Sequence, residues 1–228
     1  MTAAIWLLLL VPLLLGLAAQ GLVRWVFRRY GTMPNHAGVT GAEAARALLD
    51  AHRLQRVRVE IIPGFLSDHY DGEAKALRLS QPVGNERSVA ALGIAGHEVS
   101  HAYQDAEGNR TYRARQSIGK QLAQVAPWST FFLIAGFWFG VPLFIGLSLI
   151  FVGGLVLFAL ATLPVEIGAS HRALMLLQQT GLADPGEYRE IRRVLRAAAL
   201  TYAVGLLDRL GFFLVLLFVA EGARRVAA

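Results

Sequence analysis

His97, Glu98 and His101 fall within five residues of one another in the stretch IAGHEVSHAYQ. Two imidazoles four positions apart on a helix lie one above the other on a single face. Such a pair can offer two nitrogens to one divalent ion, while the glutamate beside the first histidine takes a proton from water, an arrangement suited to zinc-assisted hydrolysis. The neighbours Ile94, Ala95, Gly96, Val99, Ser100, Ala102 and Tyr103 are uncharged, so no further charge competes at that position. The chain has no cysteine, so any metal must be held by nitrogen and oxygen.

A five-residue motif is not sufficient on its own, because a catalytic zinc takes three protein ligands and keeps a fourth position open. The downstream candidates are His171 and the carboxylates Glu166, Asp184, Glu187 and Glu190. In TLPVEIGASHRAL, Glu166 stands two residues after Pro164, at the end of a long apolar run. An unpaired carboxylate there is costly, so it calls for a cation. Glu166 is the favoured third ligand, with His171 as the alternative.

The elements that must position these groups belong to a membrane protein. Of 228 residues, 55% are hydrophobic and only 17% charged, and the mean hydropathy is +0.46. The net charge of +6 comes without a Lys/Arg-rich run or interleaved aromatics, so membrane topology explains it better than nucleic acid does. Ile5 to Val23 is long enough for one crossing. Arginines follow it rather than precede it, which reads as a retained anchor and not a signal peptide. The apolar block 118–164 would make a helix of about 70 Å, more than twice the roughly 30 Å hydrocarbon core, so it must turn back, most naturally at Phe139–Pro142. A last apolar run, 200–220, is interrupted by Asp208 and Arg209, a pair expected near the interface or facing the bundle.

Between these runs the pattern is polar. Thr40 with Glu43 three residues on forms a capping box that opens an amphipathic helix. RVRVEIIPG alternates like a half-buried strand, and KALRLS makes a second. Ser88 caps a helix that carries the histidines to about Glu107. LSDHYD, 66–71, reads either as a turn between strands, capped by Asp68 and Asp71, or as a segment bringing His69 or Tyr70 to the cleft to bind substrate or an oxyanion. Tyr103 and Tyr112 read as packing residues. Of 22 Lys and Arg, 18 lie in 24–117 and 165–199. An even number of crossings between those segments puts both on one side, and the positive-inside rule makes that side cytoplasmic, with the N-terminus outside. The organisation is therefore an anchor (1–24), a cytoplasmic part with the histidines (25–117), a membrane hairpin (118–163), a cytoplasmic segment with the third ligand (164–199), and a last span with its tail (200–228).

From about Val39 onward the blocks GVTGAEAARALLDA, PGFLSDHYD, KALRLS, AGHEVSHAYQ, TLPVEIGASHRAL and VLRAAALTYA, with the apolar hairpin between the two metal blocks, resemble the bacterial membrane-bound neutral zinc metallopeptidases of the YugP-like group, distantly similar to the gluzincins. The resemblance implies one zinc per chain held by His97, His101 and Glu166, with Glu98 as general base. It also implies an α-helical integral membrane protein of the bacterial plasma membrane, with about four transmembrane helices and a small cytoplasmic α/β zincin-like part. The chain departs from the family pattern in SHAYQ, in the Arg-rich 24–30, and in GASHRAL, where Gly168 replaces an acid and Ser170, one turn after Glu166, is placed to orient a ligand histidine. The expected activity is endopeptidase cleavage of membrane-associated or unfolded polypeptides at the cytoplasmic surface. The competing readings are intramembrane cleavage, and a non-catalytic scaffold or chaperone-like protein keeping its metal. Besides the bilayer and polypeptide substrates, a membrane partner protein or a second copy of the chain are possible partners, and nucleic acid is not.

Overall fold

The computed structural model describes residues 2–227, with side chains described for 6–221. Helix α1 (Thr2–Gly31) contains the first apolar run but outlasts it, and Val26, Phe27 and Tyr30 in its last turns are buried. Helix α2 (Gly41–Ala51) starts at the capping box, where the Glu43 N–H donates to Thr40 Oγ1 at 3.1 Å and the Thr40 N–H to Glu43 Oε2 at 2.7 Å. Three strands follow: β1 (Arg58–Ile62), β2 (His69–Asp71) and β3 (Ala76–Ser80), in the order β1-β3-β2. Strand β3 is central, parallel to β1 and antiparallel to β2, and nearly every residue of it is buried.

Strand β2 corrects the reading of 66–71 as a turn. Tyr70 is drawn into the core, 7% exposed, and this inward side chain gives the segment strand character. The turn lies one step later. There Asp71 Oδ1 accepts the N–H groups of Glu73 and Ala74, both at 3.0 Å, and these bonds with the Arg78 guanidinium hold its carboxyl below the usual range. Asp68 caps as well, taking the Ser80 N–H at 2.7 Å.

Helix α3 (Gln81–Asn85) leads to α4 (Val89–Ala106), the histidine helix, capped by Ser88 Oγ, which accepts the Ala91 N–H at 3.1 Å. Helix α5 (Arg110–Phe139) and helix α6 (Pro142–Gln179) meet at Gly140, whose φ of +64° suits a residue without a β-carbon, so the reversal falls where the length argument requires it. Helix α6 does not stop where its apolar run ends: it continues through Pro164 to Gln179. A 3₁₀ turn (Pro185–Glu187) precedes α7 (Tyr188–Ala227). Four helices among the described residues are long and apolar enough to cross a membrane: α1, α5, α6 and α7 with its leading turn.

Two compact units emerge. One holds 1–19, 114–164 and 201–228; in it Phe132 of α5 stacks on Phe151 of α6, centroids 5.9 Å apart. Asp208 and Arg209 are exposed on α7, and Arg209 donates to the Gly205 carbonyl at 2.8 Å. The other unit holds 20–113 and 165–200, with the sheet, α2, α4 and the end of α6 around a core that includes Leu48, Leu77, Leu92 and Leu177.

In this second unit α4 approaches its neighbours through small residues. A β-carbon on Gly96 would lie 3.3 Å from Leu177 Cδ1 and 3.6 Å from Ala173 Cβ, so α4 and α6 pack with almost nothing between them beside His97. Gly96→Val should therefore wedge the helices apart, costing about 1–3 kcal/mol and releasing bound metal. Gly96→Ala needs only a small movement of the Leu177 end and should keep both. Thermal unfolding with metal analysis checks this, and full metal retention by Gly96→Val would refute the close-packing argument.

Candidate metal centre

Helix α4 presents His97 and His101, and the extension of α6 presents Glu166 from 69 residues further along the chain. Glu166 Oε2 lies 3.1 Å from His97 Nε2 and 3.7 Å from His101 Nε2, and one ligand atom from each of the three residues falls within 4.8 Å of the others. Donors bonded to zinc at about 2.0–2.1 Å in a tetrahedron stand about 3.3 Å apart, so the donor set fits that ion in both chemistry and spacing. The side chains are 13% (His97), 7% (His101) and 1% (Glu166) exposed, which leaves the site shielded but reachable from the His97 side.

Each imidazole is held through its other nitrogen. His101 Nδ1–H donates to Gln104 Oε1 at 2.9 Å, which turns the Nε2 lone pair toward Glu166. Ser170 Oγ lies 3.3 Å from His97 Nδ1 and does the corresponding work from α6. The two rings meet edge to face at 4.8 Å, and the buried Tyr112 ring stacks on His101 at 5.5 Å. Gln104 was not singled out in the sequence, although its place one turn after His101 on the same helix was a usable signal. Its amide also lies 3.9 Å from where a Gly168 β-carbon would stand.

Glu98 is 8% exposed and takes no hydrogen bond from any described residue. Burial pushes its carboxyl up to about 7; His97 pulls it down, and Glu166 and Asp68 push it further up. A buried acceptor without a donor, beside two imidazoles, is chemically open to a water proton.

The other sequence candidates separate clearly. His171 is exposed on α6, away from the His97–His101 pair. Asp184 caps the 3₁₀ turn, Glu187 accepts the His36 N–H at 2.7 Å, and Glu190 pairs with Arg189 at 3.0 Å. Tyr70 is unavailable to substrate because its hydroxyl donates to Asp105 Oδ2 at 2.9 Å, and burial together with that carboxylate pushes its pKa up. His69 stays exposed on β2, its Nδ1–H donating to the Ser67 carbonyl at 2.8 Å. Tyr103 packs edge to face on His52 and under the Arg172 guanidinium.

Residues 5–221 match the family described as "Putative neutral zinc metallopeptidase". The chain is also 36% identical over 214 residues, 89% of its own length and 95% of the relative's, to "Putative membrane protease YugP" of Bacillus subtilis (strain 168). No solved structure matches.

The geometry makes the ligand roles separable. Glu166→Ala and His97→Ala should each strip the metal from purified protein, whereas Gln104→Leu should keep the site but weaken affinity about 10–100-fold, read by titration with a competing chelator. Wild-type affinity in Glu166→Ala would remove Glu166 from the ligand set.

Proposed function

Because the chain belongs to the neutral zinc metallopeptidase family, we propose that it is a membrane-embedded zinc endopeptidase, gluzincin-like in its ligands, cutting membrane-associated or unfolded polypeptides at the cytoplasmic membrane surface. The observation that carries this reading is the meeting of His97, His101 and Glu166 beside Glu98, a buried carboxylate with no hydrogen-bond donor among the described residues. His97 Nε2, His101 Nε2 and a Glu166 oxygen would hold the ion. A zinc bound there supplies Lewis acidity toward water and the scissile carbonyl.

The chain's own residues supply the rest. Glu98 accepts the proton of the attacking water and hands it to the leaving amine nitrogen. Gln104 and Ser170 keep both imidazoles in the coordinating orientation. His69, with Nδ1–H given to Ser67, donates through Nε2 only as an imidazolium, and in that form it would stabilise the oxyanion from β2. Strand β2 is a sheet edge packed beside α4, so an extended substrate can add to it by main-chain hydrogen bonds without demanding one sequence. Cleavage at the membrane surface, rather than within the bilayer, is favoured because α4 is not among the helices long and apolar enough to span. The cytoplasmic side is inferred from the concentration of Lys and Arg in 24–117 and 165–199.

Glu98→Gln should retain stoichiometric metal and lose about 10²–10⁴-fold in kcat on an unfolded reporter protein; His69→Ala should retain metal and lose about 10²-fold. Full function of Glu98→Gln in the cell would instead favour a scaffold with a retained metal.

Orientation is testable because the chain has no cysteine. Single Gln55→Cys and Gln178→Cys variants, both at exposed positions, should react with an impermeant maleimide only after the cells are opened. Labelling of either in intact cells reverses the assignment.

A further inference from the structure

Helices α6 and α7 enclose a groove of about 290 Å³ within the second unit, walled by Ile167, His171 and Leu174 on one side and by Arg192, Leu195 and Arg196 on the other. The five arginines of 165–199 divide in two. Arg172 pairs with Glu107, Arg189 with Glu190, and Arg193 with both Glu190 and the Tyr30 hydroxyl. Arg192 and Arg196, the two that line the groove, have neither a hydrogen-bond nor an ion-pair partner among the described residues.

No carboxylate lines the groove. Like charges at i and i+4 work against a helix, so two exposed guanidinium groups on one face with no carboxylate beside them favour an anion between them. Guanidinium is suited to the paired oxygens of a phosphate. Beside the polar Ser170 and His171, the rest of the wall is the aliphatic Ile167, Leu174, Leu195 and Ala199, which gives a hydrocarbon chain attached to the anion a surface to lie on. Position along the helices agrees: Ile167 follows Pro164 by three residues on α6, and Arg196 precedes the apolar run beginning at Leu200 by four on α7. Both walls are thus the first turns beyond apolar spans, where headgroups lie.

We propose that this groove binds an anionic phospholipid, with the phosphate on Arg192 and Arg196 and an acyl chain against Ile167, Leu174 and Leu195. Ser170, which orients His97, also lines the groove, so the two sites adjoin, but the proposed phosphate and acyl contacts use none of the residues that would hold the metal. It would make the protein select its lipid neighbours by charge.

Full-length delipidated protein in detergent, titrated with dioleoylphosphatidylglycerol or dioleoylphosphatidylcholine and read by native mass spectrometry, isolates the headgroup because the tails are identical. Wild type should bind the anionic lipid about tenfold more tightly or better. Arg192→Gln/Arg196→Gln should fall to the level of the zwitterionic lipid, Arg192→Lys/Arg196→Lys should recover much of the preference, and Arg53→Gln/Arg56→Gln, an equal loss of charge at exposed positions elsewhere, should change nothing. Equal binding of the two lipids by wild type overturns the proposal, whatever the stability of the variants. An undiminished preference in Arg192→Gln/Arg196→Gln does the same. So does glycerol phosphate, or a soluble peptide ending in a free carboxylate, displacing the lipid at comparable concentration, because the acyl wall would then contribute nothing.

Discussion

The contact on which the second unit turns is a carboxylate with 1% of its surface in reach of solvent, set against two imidazole nitrogens. Taking an ionised carboxylate out of water costs several kcal/mol even after relaxation, a cost that a cation beside it would offset. Glu166 can occupy that place because α6 continues past its apolar run without a break, so no loop intervenes between that run and Glu166. Two imidazoles and a carboxylate do not bring helices together unaided. The approach is permitted by the lack of side chains at Gly96, facing Leu177 and Ala173, and at Gly93, facing Ile191.

Helix α4 is consequently shared by three requirements. Its glycine side lies on α6 and α7, its His97–His101 side makes the metal centre, and its C-terminal end carries Asp105, where the Tyr70 hydroxyl and the Lys75 ammonium converge from the sheet. That last cluster fixes β2 against α4. Placing His69 on that strand while Tyr70 points inward is the alternation any strand imposes: one neighbour is used to hold the strand, and the other is left exposed.

The sequence revealed the elements governed by local rules. The capping box at Thr40–Glu43, the Ser88 cap and the turn at Gly140 follow from backbone hydrogen bonding and chain length, and each sits where those rules put it. Strand β2 was hidden because three residues are too few for a period to show, and its identity rests on a contact between Tyr70 and Asp105, 35 positions apart. The extent of α6 and α7 was hidden for a different reason. Polarity rises after Pro164, but helices do not end where hydrophobicity does, and Pro164 is accommodated within α6. Among the ligating groups, the i, i+4 histidines are a local pattern, whereas Glu166 could be favoured only through the cost of leaving it unpaired. Gln104 escaped notice because an amide carries no charge to draw attention.

Rigidity explains why the polar groups of the centre are distributed as they are. Gln104 is bound to the same helix as the His101 it holds, so their contact survives any shift of α4 as a body. Ser170 holds His97 from the opposite helix, and its hydroxyl reaches the ring only while α4 and α6 keep their spacing. The two histidines therefore differ in kind: one is oriented by local structure, the other by tertiary packing. Ion binding by His97 and Glu166 would draw on that same spacing, so the free energy of holding an ion and that of holding the helices together would be linked, and a change at the α4–α6 contact would be felt first at His97.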